Sequence, residues 1–244
     1  MSVKVRRVQP HSPAERAGVL AGDVVTSVAR VTVSDYLDVE LAISGEAEVE
    51  LAVGRGGEEL SLLLNRSSSQ GELLPAGFEL EFSPRICPNR CIFCFVDQNL
   101  PGLRRSIYVK DEDYRLSFSD GAYITLTNLT AEDKARISAL RLSPLYVSVH
   151  TTDDRLRRKI LGNPKAEPII PALKELVGLG VSVHSQVVVM PGINDGAVLE
   201  SAFLEELSGL DISATLTYDM LAIKTKTTKE TSRRDFLITE SCRN

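Results

Sequence analysis

Three of the chain's four cysteines fall inside eight residues, Cys87-Pro88-Asn89-Arg90-Cys91-Ile92-Phe93-Cys94, spaced C-x3-C-x2-C. Free cysteines elsewhere in proteins usually serve as small buried hydrophobes. Three this close on one loop point apart unless something gathers them. A metal or cluster is the natural gatherer, since compact thiolate loops hold iron–sulfur clusters or, with a fourth ligand, zinc. For zinc the fourth ligand would be His11, His150, His184 or Cys242. Zinc loops favour two C-x2-C knuckles, and this chain has one such pair, so a cluster is the leading reading.

The rest of the composition sets wide bounds. At 244 residues, with 43% hydrophobic and 25% charged residues, the chain can bury one large core or two smaller ones. The net charge of −5 gives no global reason to expect nucleic-acid or membrane binding, although a local basic patch leaves nucleic acid open as a partner. The start, MSVKVRRVQP, has no apolar run behind its basic residues, so no secretory leader is expected. The longest apolar stretch, around Val187 to Met190, is too short to span a bilayer. Four cysteines in a chain of this length do not make a disulfide framework, so the expected compartment is the reducing cytoplasm.

Taken in order, residues 1–66 read as a small, mostly β module. Val3, Val5 and Val8 alternate with basic residues, and Ser12 caps a short helix with Pro13 at its first position and Glu15 at its third. Gly18 ends that helix; the run from Asp23 to Val28 is β-rich, and Ala47–Val53 and Glu59–Leu64 flank a hairpin turn at 54–57. Residues 67–76 are a polar linker. Phe78 to Phe82 alternates with period two and is expected as the strand that feeds the cysteine loop. The segment from Arg104 to Arg115 carries charges of both signs and reads as a solvated loop or surface helix.

From Ala122 the pattern becomes βαβα. Strands are expected at Tyr123–Thr127, Leu145–His150, Val181–Met190 and Ile212–Tyr218, with helices capped at Thr130 and at Asp153 or Asp154, a third ending at Gly180, and a fourth after Gly196. Alternation of this kind implies a parallel sheet, open or closed into a barrel. The expected core therefore spans 77–220, and 221–244 reads as a disordered or aberrant tail.

Two resemblances narrow this reading. Ser12-Pro13-Ala14-Glu15, Ala17-Gly18 and Gly22-Asp23 resemble the signature of bacterial PDZ-like domains. Those domains usually bind a peptide as an added strand, its carboxylate held in a Gly-Φ-Gly-Φ loop. No such loop occurs here, so a docking or scaffold role toward a protein partner is expected. The cysteine loop, with Phe93 before its last cysteine, resembles the C-x3-C-x-Φ-C loop of the radical S-adenosylmethionine (SAM) superfamily. Cys87 to Arg104, the run Lys110 to Phe118, and Thr125 to Leu129 together resemble an uncharacterised group within it, which pairs an N-terminal PDZ-like module with a radical SAM core and a C-terminal domain, DUF512.

The resemblance implies an α/β fold, a partial TIM-like parallel βα barrel of radical SAM type preceded by the small PDZ-like domain. It implies a [4Fe–4S] cluster on Cys87, Cys91 and Cys94, whose open iron chelates S-adenosyl-L-methionine, and a reductant such as a flavodoxin or ferredoxin. Reductive SAM cleavage then gives a 5′-deoxyadenosyl radical for an unknown substrate. Phe93, Asn128 and Ser148 are the candidates around SAM. Many relatives place Gly-Gly-Glu at the end of the second strand for the SAM amino group; Thr127-Asn128 stands there instead and brings no carboxylate. Ser148 and His150 close the third strand much as Ser-Leu-His does in radical rRNA methyltransferases, where the serine contacts the ribose. Asn194 and Asp195 read as a helix cap or as part of the site mouth. Asp97, Gln98, Arg104, Lys110, Asp113 and Arg115 read as cluster-loop or substrate contacts, or as surface ion pairs. Only about five strand candidates precede the tail, where a complete core has six βα units, so the chain reads as C-terminally truncated. The rival functions are an inactive adaptor built on the PDZ-like module and a zinc-binding structural protein.

Overall fold

The computed structural model describes residues 3–68, 72–196, 207, 210 and 212–218. The helix expected after Gly196, the tail from 221 and Cys242 lie outside these residues. The chain divides into two compact units, Met1–Ser83 and Pro84–Asn244.

The first unit runs β1 (Val3–Val8), α1 (Pro13–Ala17), β2 (Val24–Val28), β3 (Val31–Thr32), α2 (Tyr36–Ile43), β4 (Glu48–Arg55), β5 (Glu58–Asn65) and β6 (Phe78–Leu80). Its sheet is antiparallel in the order β5-β4-β2-β1-β6, with β3 paired to β2. Period-two alternation buries Val3, Val5, Val25, Val28, Val49, Leu51 and Val53 with Ala14, Val39 and Ile43. Each large aliphatic side chain so buried contributes about 1.5–3 kcal/mol. The β4–β5 turn uses Gly56 and Gly57 at φ 61° and 91°, the paired positive values of a primed hairpin turn. Ser12 caps α1 by accepting from Glu15 N at 3.2 Å.

Two features of this unit depart from the sequence reading. Helix α2 lies in a stretch without strong periodicity; Asp35 and Asp38 make a capping box that starts it. Strand β6, expected to lead into the second unit, pairs antiparallel with β1 through Val8↔Phe78 and Val5↔Leu80. An open edge on β1 and alternating Phe78 and Leu80, which pack on the first core, draw it there.

The second unit contains α3 (Tyr114–Asp120), α4 (Ala131–Ala139), β7 (Leu145–Ser148), α5 (Asp154–Leu161), α6 (Ile169–Gly178), β8 (Val183–Val189) and β9 (Ser213–Tyr218). Strands β7, β8 and β9 are parallel and adjacent in chain order, with helices in the β7–β8 connection. This is a partial parallel βα barrel. Thr130 and Asp153 cap α4 and α5 as expected. The expected strand at Tyr123–Thr127 is reduced to one parallel bridge, Ile124↔Val147. Its ladder stops because Leu126 has φ 62°, outside the β region, and because Thr125 N donates to a carboxylate at 2.6 Å instead of to a strand. Among the described residues no helix is long and apolar enough to cross a membrane.

Candidate functional site

The cysteine loop is held by backbone on two sides. On one side Cys87 N donates to Lys110 O at 2.8 Å, and Glu112 N donates to Arg85 O at 2.8 Å. On the other, Arg90 N and Ile92 N donate to Leu161 O and Ile160 O at 2.9 and 3.0 Å, the last carbonyls of α5. Helix-terminal carbonyls have no partner within their own helix, and here the loop supplies donors for two of them. Gly162 permits this approach. Its φ is 56°, and a Cβ there would lie 2.3 Å from Arg90 O.

Cys87, Cys91 and Cys94 are free thiols, all half-buried. They line one cavity of about 350 Å³ together with Asn89, Phe93, Phe95, Lys110, Glu112, Thr125, Ser148, His150 and Gln186, among others. Burial pushes the Cys91 thiol up to about 12, helped by the neighbouring Cys87 and Cys94. Burial likewise pushes the Cys87 thiol up to about 11. These two are therefore protonated at neutral pH.

Phe93 is 6% exposed and packs with Ile160, Val188 and Met190, its ring edge-on to His150 at 4.5 Å between centroids. Ser148 ends β7, in register with Gln186, and both line the cavity. Asn128 is not brought to it. Its Nδ2 donates to Glu112 O at 2.7 Å, so it braces the segment that carries Glu112. His150 is 2% exposed; its Nδ1 accepts from Val188 N at 3.3 Å, and burial, then the Arg157 charge, drives its pKa down to about 3. Asn194 is a tie: Nδ2 donates to His150 O and Val188 O at 2.8 and 2.9 Å, and Oδ1 accepts from Met190 N. Asp195 accepts from Gly192 N.

The charged run before α3 is the main surprise. Its composition places it in solvent, yet Glu112 and Asp113 are 2% and 0% exposed. Asp113 caps α3 and binds Arg115 by two bonds of 2.9 and 2.6 Å. Burial raises the Asp113 carboxyl, but the Arg115 bonds and the Arg85 amide outweigh it and hold the group below the usual carboxylate range. Lys110 pairs with Asp97 at 2.5 Å. Arg85 clasps Asp133 with two bonds of 2.6 Å. Gln98 Nε2 donates to Phe93 O, and Arg104 only precedes an exposed 3-10 turn, Arg105–Tyr108.

Glu112, Asn89, Thr125 and Arg157 are the site residues that sequence reasoning missed. Glu112 Oε1 accepts from Thr125 N at 2.6 Å, and Oε2 lies 3.7 Å from Cys87 Sγ. Burial raises its pKa. Asn89, between the first two cysteines, donates to Thr125 and Thr127 hydroxyls at 2.7 and 3.1 Å and accepts from Asn163.

Of the fourth ligands that zinc would need, Cys242 lies outside the described residues. Among the described residues no three His, Cys, Asp or Glu side chains are grouped to hold a metal ion. His150 is turned to Val188 N, and His184 Nδ1 shares a hydrogen bond with Ser213 Oγ. A four-iron cluster takes its thiolates on separate irons, so its ligands stand farther apart than those of one ion. Three free thiols around one cavity fit such a group as a donor set.

Comparison with known proteins places the two units. A family description, radical SAM-like domain, matches residues 74–214, and another, PDZ domain, matches residues 4–55. Similar solved structures include the PDZ domain of the SdrC-like protein from Listeria innocua, 19% identical, covering 34% of this chain and 97% of that one, with a TM-score of 0.28. They also include a radical SAM methyltransferase from Sphaerobacter thermophilus, 15% identical, covering 84% of this chain and 80% of that one, with a TM-score of 0.30. No curated protein matches.

Proposed function

The chain belongs to the radical SAM-like domain family, and from that premise we propose that Cys87, Cys91 and Cys94 hold a [4Fe–4S] cluster in a cavity that also receives SAM. The observation that carries the reading is the convergence of all three thiols with Phe93, Ser148 and a buried carboxyl group on one cavity. When bound and reduced, the cluster supplies the electron that cleaves SAM to methionine and a 5′-deoxyadenosyl radical.

The chain's own residues supply the rest. Cys87 and Cys91, whose pKa values are held high, must release their protons on binding iron, so loading is coupled to deprotonation. Asn89 and the α5 carbonyls fix the loop's shape before any ligand arrives. Glu112 supplies the carboxylate that Asn128 lacks and would meet the ammonium of SAM; Asn128 holds its backbone. Ser148 offers a hydroxyl toward the ribose, and Phe93 with His150 makes a dry wall behind the reacting end. An electron donor of the flavodoxin or ferredoxin kind fits the chemistry. The PDZ-like unit fits a protein partner.

Anaerobic reconstitution with iron and sulfide tests the ligands. The wild-type protein should take up both and turn brown, and the Cys87→Ala/Cys91→Ala/Cys94→Ala variant should not; uptake by the variant refutes the assignment. Dithionite-reduced protein incubated with SAM should release 5′-deoxyadenosine, and its absence favours the adaptor reading.

A further inference from the structure

Building on the cluster reading above, we infer that Arg157 is a buried cation that sets the cluster's reduction potential. Arg157 is 1% exposed, among the largest side chains fully removed from water. Its Nη2 donates to Thr125 O at 2.6 Å and its Nη1 to Glu167 O at 3.3 Å, while Nε has no partner among the described residues. No carboxylate among the described residues forms an ion pair with it. Burying a charge on two carbonyls alone is costly, and a guanidinium does not escape by losing its proton at neutral pH. Burial lowers its pKa only to about 10, the nearby Glu112, Asp154 and Cys91 opposing the fall. The charge stays in place.

Its position gives that charge a purpose. Arg157 lies on α5 one turn before Ile160 and Leu161, whose carbonyls accept from Ile92 and Arg90 of the cysteine loop. Leu156 and Ile160 pack with Phe93 and Cys91 in one apolar group. Thr125, which receives Arg157 on its carbonyl, receives Asn89 of the cysteine loop on its hydroxyl and lines the cavity. The guanidinium is thus tied to the wall directly behind the cysteine loop by two independent routes.

A cluster on three thiolates is anionic and becomes more so when it gains an electron. A fixed cation in a low-dielectric wall stabilises the reduced form more than the oxidised form and raises the potential. Arg157 is not among the residues that line the cavity; it is a positioning residue that acts through the cluster. A purely structural role, as a bracket between the Thr125 and Glu167 carbonyls, would leave the potential where it is.

The test compares wild-type, Arg157→Lys and Arg157→Met proteins after anaerobic reconstitution, by redox titration read in absorbance and electron paramagnetic resonance, with iron and sulfide content measured alongside. The Met variant should titrate at least tenfold harder to reduce, about 59 mV more negative for one electron, and the Lys variant should stay near wild type. Met and Lys variants with equal potentials, or a Met variant at the wild-type potential, overturn the inference. Should the Met variant hold no cluster, an Arg157→Gln variant, which keeps a donor for the Thr125 carbonyl without the charge, decides: a potential shifted down supports the charge, and a wild-type potential or loss of the cluster from the Gln and Lys variants overturns it. Wild-type protein that takes up no iron and sulfide overturns the cluster reading itself, before any variant is compared.

Discussion

Gly162 offers a sharp test of how the cysteine loop is held, because two separate costs meet at one atom. At φ 56° an added Cβ brings left-handed strain, about 1–2 kcal/mol for an L residue. The same Cβ would sit 2.3 Å from Arg90 O, with Arg90 C at 3.0 Å, and these are backbone atoms that cannot swing aside. Relief requires the loop to move off α5, at roughly 1–3 kcal/mol for overpacking, and puts at risk the Arg90 N to Leu161 O bond, about 1 kcal/mol net. Gly162→Ala should therefore cost about 3–6 kcal/mol. Gly180 is the control: its φ is 82° and an added methyl there would meet nothing within 4 Å, so Gly180→Ala bears only the backbone strain. Urea denaturation of both variants isolates the close approach as the difference, about 2–4 kcal/mol from the same contributions. Because Arg90 lies between Cys87 and Cys91, Gly162→Ala should also lower iron uptake, and Gly180→Ala should not. Equal stability losses in the two variants, with equal iron uptake, would refute the idea that α5 and the loop are locked by contact.

Two further outcomes follow from the charges in the cavity. Glu112→Gln keeps an acceptor for Thr125 N but removes the negative charge; at unchanged iron content it should bind SAM roughly ten- to a hundredfold more weakly, from a charged hydrogen bond of about 1.5–3 kcal/mol, measured by equilibrium dialysis. Unchanged affinity removes Glu112 from the SAM site. His150, held neutral by burial with its pKa at about 3, contributes stability that is present above the unfolded value of about 6.5 and is lost as pH falls, because the unfolded chain takes a proton the folded one refuses. Compared with His150→Asn, which tolerates the φ of 65°, the wild type should lose up to about 1.4 kcal/mol more per unit between about pH 6.5 and 4. A stability difference between the two that does not change over that range refutes a buried neutral histidine.

What the residues disclosed in advance was mainly local. The cysteine spacing marked the loop, Ser12, Thr130 and Asp153 marked helix starts, and Gly56-Gly57 marked the hairpin, because each of these signals acts over three or four residues. The buried charges in and beside the site were illegible for the opposite reason. Glu112, Asp113 and Arg115 look solvated as a string of charges, and their burial depends on Thr125, Arg85 and each other meeting across the fold. Arg157 gave no signal at all, since on sequence it is one of several basic residues on a polar helix. The strand at Phe78–Leu80 was legible as a strand but not by its partner; alternation reveals which face is buried, not whose edge is free.

That last strand has a consequence for how the N-terminal unit is made. Strand β1 waits for residues 78–80 before its outer edge is covered, and Gly77 O and Ala76 O are needed to receive Gln9 N and Ala14 N. A fragment cut at residue 66 keeps both helices and the hairpin yet leaves the outer backbone edge of β1 unpaired, an invitation to self-association. Extending the cut to residue 83 covers that edge. As the chain leaves the ribosome, the closing strand of the module and the first cysteine are only seven positions apart, so the module is sealed almost as the cysteine loop begins to emerge.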